Sequence, residues 1–202
     1  MRDLLIIRHG ESEWNLEHRW QGWMNSTLTP LGERQARERA EQLAQSGFAP
    51  AVVHCSDLGR ARHTAEIVAS SMGAAVRAHP GLRERGGGDW EGHTSEEIEV
   101  KWPGLLAAWR RGELIGPPGG EGDDDVFSRF DAAIAAVVAA GTPTLIVTHG
   151  GVLRLIATRA GVPEAALLPN LGGYWFEVAG GVLAAPDPLP ALATATELPS
   201  AE

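Results

Sequence analysis

Residues 4–10 read Leu-Leu-Ile-Ile-Arg-His-Gly and residues 144–150 read Thr-Leu-Ile-Val-Thr-His-Gly, so two apolar runs end in the same dipeptide. Continuous rather than alternating apolarity is typical of strands covered on both faces, as in a parallel sheet. A third run of this kind spans residues 51–55. In open α/β sheets, ligands bind beyond the carboxyl ends of the strands. We therefore expect His9 and His149 at the edge of the sheet that carries a site.

Amphipathic helices are predicted between these strands. Thr29 and Pro30 form an N-cap and first-turn pair for a helix that ends near Gly47, and a second helix is expected from Asp57 to Gly73. The remaining predicted elements are a short helix after Thr94, a helix from Asp123, a helix over residues 151–160 and a hairpin over residues 174–185.

This alternation of strands and helices favours an α/β fold. We expect a single-domain, three-layer α/β/α sandwich built on a mostly parallel, doubly wound sheet with a late hairpin. Residues 1–185 are assigned to this domain. Residues 186–202 are interpreted as a Pro/Ala-rich C-terminal tail.

The composition excludes several classes of function. Among 202 residues, 17 Lys and Arg oppose 26 Asp and Glu, for a formal net charge of −9. No basic block interrupts this acidity, so neither nucleic acid nor a membrane is expected as a partner. The single cysteine, Cys55, lies in an apolar run, where a buried and inert thiol is expected. With no signal-peptide pattern or membrane span, the predicted location is the cytoplasm.

Two arginines lie beside the sheet edge that carries the histidines. Arg8 adjoins His9, and Arg60 falls in the first turn of the helix that follows residues 51–55. A guanidinium presents a planar fork of donors suited to phosphate oxygens, and a helix N-terminus adds backbone N–H groups. Taken alone, Arg60 would be a solvated helix residue. Together with two strand-end histidines, it favours a phosphoryl pocket.

Four ordered blocks resemble the histidine phosphatase superfamily, also called phosphoglycerate mutase-like. The first, residues 8–15, reads Arg-His-Gly-Glu-Ser-Glu-Trp-Asn and is followed by Gln21-Gly22-Trp23. The others are Ser56-Asp57-Leu58 with Arg60-Ala61, Leu82-Arg83-Glu84 with Trp90-Glu91-Gly92, and Thr148-His149-Gly150-Gly151. The resemblance covers about Leu4 to Val178.

The resemblance implies a role for each matching residue. His9 would be the nucleophile that becomes phosphohistidine, and Glu84 would be the proton donor. The phosphoryl oxygens would be bound by Arg8, Arg60 and His149. The further candidates for substrate binding are Asn15, Gln21, Gly22 and Gly150. This chemistry implies no metal and no other cofactor.

The family contains both phosphatases and cofactor-dependent phosphoglycerate mutases. The chain lacks the longer insertion that is typical of mutases after the block of Glu84, and its turn at residues 117–121 resembles the phosphatase branch. Arg110 and Arg111 follow Trp109 as in mutases, where such arginines hold the substrate carboxylate. An exposed basic helix end explains them equally well.

Because of the missing insertion and the turn at residues 117–121, we predict a metal-independent phosphomonoester hydrolase, with a cofactor-dependent phosphoglycerate mutase as the alternative. An inactive phospho-ligand binding module is disfavoured because all five catalytic candidates are present.

The predicted partner is a small-molecule phosphate ester, acidic if Arg110 and Arg111 reach the pocket, and a homodimer is left open.

Three features of the sequence each have two interpretations. The Gly86-Gly87-Gly88 run fits a mobile loop or a surface turn. Asp123 to Asp125 fit a helix N-terminus better than a metal site. Tryptophans at 14, 20, 23 and 90 fit core filling or an apolar mouth.

Overall fold

A six-stranded sheet organises the part of the chain that the computed structural model describes, namely residues 4–139, 143–163, 165–179 and 182–192. Its strands are β1 (Leu4–Arg8), β2 (Val52–Cys55), β3 (Ala75–Ala78), β4 (Thr144–Thr148), β5 (Gly173–Ala179) and β6 (Val182–Pro188). They lie in the order β3-β2-β4-β1-β5-β6. The first four in this order run parallel, whereas β5 pairs antiparallel with β1 and β6 pairs antiparallel with β5. The predicted mostly parallel sheet with a late hairpin is confirmed.

The described ranges contain seven α-helices, and the five that were predicted begin and end close to their signals. They are α1 (Glu13–Leu16), α2 (Pro30–Gln45), α3 (Gly59–Met72), α4 (Ser95–Lys101), α5 (Leu105–Arg110), α6 (Asp123–Ala139) and α7 (Gly150–Arg159). Thr29 caps α2 by accepting a hydrogen bond from the Gly32 N–H, and Thr94 forms a capping box with Glu97. Helix α3 begins two residues after Asp57 because Leu58 is still extended, and it ends at Gly73, whose φ is 66°.

Alternate residues of β1 face two different helical layers. Leu5 and Ile7 pack with α2 and α3, whereas Leu4 and Ile6 pack with α6 and α7. All four side chains are fully buried. This is the burial that a continuously apolar strand predicts, and it confirms the three-layer α/β/α arrangement.

The C-terminal boundary of the sheet lies beyond the predicted one. Strand β6 continues to Pro188, three residues past the expected end of the domain at residue 185. Its position at the sheet edge tolerates proline, because an edge residue needs no donor on its outer side. The carbonyl of Pro190 accepts a hydrogen bond from the buried Arg39 at 2.9 Å. Residues 193–202 of the predicted tail lie outside the described residues.

Strand β3 and helices α1 and α5 were not predicted. Each has four to six residues, and β3 is mostly exposed, so none carries a long apolar pattern. Among the described helices, none is both long and apolar enough to cross a membrane.

A pair formed by the buried His54 and the half-buried His79 joins β2 to the end of β3. The Nδ1 atom of His54 lies 2.8 Å from Nε2 of His79. Burial, together with the nearby His79 and Arg77, lowers the pKa of His54 to about 4. The imidazole of His54 is therefore neutral in the folded chain at pH values where it would be charged in the unfolded chain, whose histidine pKa is near 6.5.

We expect His54→Leu to flatten the pH dependence of stability. Because the folded pKa is depressed, the stability that neutral His54 contributes is complete above about pH 6.5 and is lost as pH falls towards 4. Between pH 7 and 4.5 the free energy of unfolding, measured by urea unfolding, should fall by on the order of 1–2 kcal/mol more in the wild type than in the variant. His63→Leu, at a side chain that is 48% exposed, is the control. Parallel curves for wild type and His54→Leu would contradict the assignment.

Candidate active site

The two strand-end histidines lie side by side at the carboxyl edge of the sheet. Strands β1 and β4 are neighbours in parallel register, and the His9 N–H donates to the Thr148 carbonyl at 3.0 Å. The rings of His9 and His149 are 5.2 Å apart between centroids and inclined by 65°. Both side chains are buried. The adjacency of β1 and β4 thus converts two distant His-Gly pairs into one site.

The hydrogen bonds of His9 define which ring nitrogen is available for chemistry. Its Nδ1 lies 2.7 Å from the Gly10 carbonyl, which can only accept, so Nδ1 carries the proton. Nε2 then has a lone pair, and Arg60 Nε donates to it at 3.2 Å. Burial, then the charges of Arg60 and Arg8, hold the pKa of His9 well below its usual value. The imidazole is therefore neutral at pH 7, as a nucleophile requires.

Backbone carbonyls orient the two buried guanidinium groups. Arg60 donates from Nη1 to the Met24 carbonyl and from Nη2 to the Gly22 carbonyl, both at 2.9 Å. Arg8 donates from Nη1 to the Leu168 carbonyl at 2.8 Å. Both side chains are almost fully buried. Their charges are thus held in place before any ligand arrives.

His149 has polar atoms that no described residue satisfies. Neither of its ring nitrogens has a hydrogen-bond partner in the described ranges, although the side chain is fully buried. Burial, then the charges of Arg60 and neighbouring groups, hold the pKa of His149 well below its usual value. Because a buried polar group without a partner is costly, this ring is a candidate ligand-binding group.

Asn15 and Gln21 form a polar wall beside His9. The Asn15 Oδ1 accepts from the Ser12 N–H at 3.2 Å and from Asn170 Nδ2 at 3.3 Å, and Gln21 Oε1 accepts from the Ser12 hydroxyl at 3.0 Å. The buried Nδ2 of Asn15 has no partner among the described residues. Asn170 Nδ2 also donates to the His9 carbonyl at 3.0 Å. Asn170 was not predicted, since it lies in a loop after β4 and α7 with no recognisable pattern.

The remaining two binding candidates, Gly22 and Gly150, lie beside the buried arginines. Gly22 presents its carbonyl to Arg60, as described above. Gly150 is buried at the start of α7, where a Cβ atom would lie 3.2 Å from Arg8 Nε. Both residues therefore contact the buried arginines.

The Glu84 carboxylate caps the helix that follows His149. It accepts hydrogen bonds from the backbone N–H groups of Gly151 and Val152, both at 3.0 Å, and from that of Arg85 at 2.9 Å. His149, the N-cap residue of α7, makes no side-chain cap hydrogen bond itself. A Cβ atom at residue 151 would lie 2.8 Å from Glu84 Oε1, so the close approach requires glycine there. Glu84 is thereby held at the same helix end that carries His149.

Long-range hydrogen bonds fix the backbone of the Glu84 loop, residues 83–91. The Glu84 carbonyl accepts from Arg129 Nη2 and from Trp23 Nε1, both at 2.8 Å. Arg129 also donates to the Arg83 carbonyl at 2.7 Å and pairs with Glu121 at 2.8 Å. Glu121 in turn accepts from the Gly86 N–H at 2.8 Å. Neither Arg129 nor Glu121 was predicted to support the site, although Glu121 belongs to the 117–121 turn.

The prediction that Gly86 to Gly88 form a surface turn is wrong, whereas a mobile loop stays a prediction. Gly86 and Gly87 are buried, and Glu91 accepts from the Gly87 N–H at 2.9 Å. Gly88 has a φ of 54°, and a Cβ atom there would lie 2.1 Å from the Pro118 carbonyl. The glycines are required because two backbone segments approach each other closely.

The predicted arginine pair does not enter the phosphoryl pocket. Arg111 is 59% exposed and pairs with Glu113 at 2.6 Å. Arg110 lines a groove of about 730 Å³ outside the site. A smaller cavity lies directly over Glu84 and is lined by Trp20, Gln21, Gly22, Glu84, Arg85, Gly87, Trp109, Gly151 and Arg154. The two arginines in this cavity wall, Arg85 and Arg154, were not predicted.

The tryptophans divide between the two predicted roles. Trp90 is fully buried in a cluster with Ile98, and Trp20 and Trp109 contact it edge to face. Trp20 and Trp109 also line the cavity over Glu84. One aromatic cluster therefore both fills the core and lines the mouth of the cavity over Glu84.

Two of the three aspartates at residues 123–125 make contacts within the protein. Asp123 pairs with Arg85, and Asp125 accepts from the Gly122 N–H at 3.0 Å, at the N-terminus of α6. In the described ranges, no group of three or more His, Cys, Asp or Glu side chains is arranged to hold a metal ion. Cys55 is buried, and burial raises its thiol pKa to about 12, as expected for an inert thiol.

An α/β sheet whose carboxyl edge brings together two neutral histidines and two buried arginines is typical of an enzyme that handles phosphoryl groups. Residues 4–172 match the model of the histidine phosphatase superfamily, branch 1. The chain belongs to this family, and the resemblance stated from the four blocks is confirmed.

Its relatives include both activities weighed from the sequence. The chain is 37% identical over 163 residues to a 2,3-bisphosphoglycerate-dependent phosphoglycerate mutase of Nitrobacter hamburgensis, covering 77% of this chain and 79% of the mutase. It is 33% identical over 193 residues to a glucosyl-3-phosphoglycerate phosphatase of Mycobacterium tuberculosis, covering 89% and 86%. A structure of the mycobacterial phosphatase with VO3 superposes with a TM-score of 0.82 at 30% identity, covering 93% of this chain and 98% of that one.

We expect Glu121→Ala to loosen the Glu84 loop while the sheet stays folded. The change removes the acceptor of the Gly86 N–H and the ion-pair partner of Arg129. Hydrogen exchange at Gly86 and Gly87 should accelerate about tenfold or more, the scale of one lost charge-assisted hydrogen bond. Glu113→Ala, which removes only the exposed pair with Arg111, is the control. If the Gly86 N–H is protected from exchange equally well in Glu121→Ala, then Glu121 does not hold the loop.

Proposed function

We propose that this chain is a phosphomonoester hydrolase in which His9 is transiently phosphorylated. The observation that supports it most directly is the hydrogen bonding of His9. Its Nδ1 proton is held by the Gly10 carbonyl, and its Nε2 lone pair lies beside the fixed guanidinium of Arg60. The substrate class is a small phosphorylated metabolite.

In the first step, His9 Nε2 attacks the phosphorus atom of the bound ester. The N–P bond forms as the bond from phosphorus to the leaving oxygen breaks, and Glu84 transfers a proton to that oxygen. The transition state spreads negative charge over the equatorial oxygens. Arg8, Arg60, the ring of His149 and the amide of Asn15 supply donors for these oxygens.

In the second step, water attacks the phosphohistidine. Glu84, now a carboxylate, accepts a proton from the water, the N–P bond breaks, and inorganic phosphate and neutral His9 are restored. Three backbone N–H groups donate hydrogen bonds to the oxygens of Glu84 and fix its position for both steps. The arginines neutralise the phosphoryl charge, so these steps need no metal ion or organic cofactor.

The mutase alternative rests on the relative from Nitrobacter and on Arg110 and Arg111. A mutase must retain its intermediate and let it reorient, which requires groups that hold the substrate carboxylate. Arg111 pairs with Glu113 at the surface, and Arg110 lines only the outer groove. The two arginines do not form a joint carboxylate site, and this favours hydrolysis. A binding module without activity is disfavoured, since Arg8, His9, Arg60 and His149 converge and Glu84 caps the helix that begins beside His149.

We expect net phosphate release from 3-phosphoglycerate and other esters to exceed isomerisation to 2-phosphoglycerate, with or without added 2,3-bisphosphoglycerate. His9→Ala should abolish turnover without changing the circular dichroism spectrum. Quenching the wild type in base during turnover should trap phosphate in a base-stable, acid-labile linkage on His9.

Three results would count against the proposal. Normal turnover by His9→Ala, or phosphate trapped on another residue, would remove His9 as nucleophile. Isomerisation that is faster than phosphate release and depends on the bisphosphate would assign the chain to the mutases.

We expect the damage from Glu84→Gln to depend on the leaving group. An alkyl ester leaves as a strongly basic alkoxide and needs the proton, whereas p-nitrophenolate is already a stable anion. The burst rate should fall on the order of a hundredfold for alkyl esters and much less for p-nitrophenyl phosphate. The ratio of burst rates in rapid-quench experiments is independent of the folded fraction. Equal loss for both ester types would mean that Glu84 is not the leaving-group acid.

A further inference from the structure

The half-buried side chain of Glu91 joins two backbone segments of the candidate site. Its Oε1 atom accepts hydrogen bonds from the Trp23 N–H and from the Gly87 N–H, both at 2.9 Å. Trp23 lies in the Gly22 segment (residues 21–24), and Gly87 lies in the Glu84 loop. Because one oxygen atom accepts both hydrogen bonds, the two segments share a single anchor point.

In the Gly22 segment, Glu91 holds the peptide group that orients Arg60. The Gly22 carbonyl, which accepts from Arg60, and the Trp23 N–H belong to one planar peptide group and point in opposite directions. Glu91 and Arg60 therefore bind the two ends of the same peptide group. Hydrogen bonds in such a chain polarise one another, so the loss of one weakens the other. A Cβ atom on Gly22 would lie 2.0 Å from Glu91 Oε1, so this contact requires glycine at residue 22.

In the Glu84 loop, Glu91 holds a second peptide group in the same way. The Gly87 N–H donates to Glu91, and the Gly86 carbonyl of the same peptide group accepts from the Glu121 N–H at 2.9 Å. This peptide group follows Glu84 within three residues of the chain. Glu91 thus fixes the backbone close to the proposed proton donor.

We propose that Glu91 is a positioning residue that sets Arg60 and Glu84 relative to each other. Trp23 supports this link, since its backbone N–H donates to Glu91 and its Nε1 donates to the Glu84 carbonyl at 2.8 Å. The inference rests on the proposed hydrolase function and adds to the same site a residue that acts through other side chains. Glu91 serves as the acceptor of two N–H groups, a role for which an amide oxygen is also suited. A proton donor, by contrast, needs a carboxyl group.

The test compares Glu91→Ala, which removes the acceptor, with Glu91→Gln, which keeps an oxygen atom for both N–H groups. We expect Glu91→Ala to lower the burst rate with 3-phosphoglycerate by about 10- to 100-fold, because small displacements of reacting groups cost this much. The burst rate with p-nitrophenyl phosphate should fall by about tenfold or less, since that leaving group needs no proton from Glu84. Glu91→Gln should stay within about threefold of the wild type. Glu99→Ala, which removes the acceptor of the Gly104 N–H between α4 and α5, is the control and should match the wild type.

Two further measurements separate the effect on Arg60 from the effect on Glu84. Calorimetry with inorganic phosphate should give a Kd about three- to tenfold higher for His9→Ala/Glu91→Ala than for His9→Ala, the scale of one hydrogen bond to Arg60. This comparison requires no turnover, so it is independent of whether His9 is phosphorylated. In a Glu84→Gln background, Glu91→Ala should no longer change the ratio of burst rates for the two esters.

The inference is overturned in any of three cases. Equal damage by Glu91→Gln and Glu91→Ala would make Glu91 a proton-transfer group. An equal loss of burst rate for both esters, with an unchanged Kd for phosphate, would make Glu91 a structural residue. Unchanged burst rates and phosphate binding in Glu91→Ala would remove it from the site. Each of these results leaves phosphorylation of His9 to its own test.

Discussion

The site depends on keeping two guanidinium groups charged in a buried place beside two imidazoles that stay neutral. Arg60 meets this constraint by linking three elements, since it donates to His9 Nε2 and to the carbonyls of Gly22 and Met24. Burial, and after it these charges, lower the pKa of His9 and His149. Both imidazoles are thus kept neutral beside two fixed positive charges, an arrangement that favours an anionic ligand. Anion binding should stabilise the fold, by about 2.7 kcal/mol at 100 times the Kd.

Glu84 is held by backbone N–H groups rather than by arginines. Two of these groups, of Gly151 and Val152, belong to the start of α7, and the third belongs to Arg85. Arg129 and Glu121 fix the backbone that carries Glu84. The proposed proton donor and the proposed phosphoryl-binding groups therefore have separate direct supports, so a variant could impair one and spare the other.

Sequence reasoning succeeded where the determinants are local. The apolar runs of β1 and β4, the cap at Thr29 and the capping box at Thr94 each depend on residues within a few positions. The convergence of His9 and His149 also followed, because parallel strands end at one edge. The long-range hydrogen bonds that support the site could not be predicted. Arg129 lies 45 residues from Glu84 in the chain, and Asn170 lies 161 residues from His9.

A local pattern does not say what packs against it. The glycine run at residues 86–88 suggested a surface turn because exposed turns and closely packed backbones both select glycine. The Trp109-Arg110-Arg111 pattern left a carboxylate site and an exposed helix end equally open, and it ends a six-residue helix, α5, with Arg111 paired to Glu113.

Hydrolysis and isomerisation differ in what happens to the first product, and the cavity over Glu84 bears on this. After the first step the leaving group is a neutral alcohol, so its oxygen no longer holds it to the site. In the proposed mechanism the departing alcohol would lie beside a groove of about 730 Å³, and Arg110 and Arg111 do not form a joint carboxylate site there. A product with few contacts would leave before it could turn to present a second hydroxyl. Water that reaches the proposed phosphohistidine would then complete hydrolysis. A family can therefore contain both activities on one phosphoryl pocket, because the difference lies in the contacts that retain the leaving group.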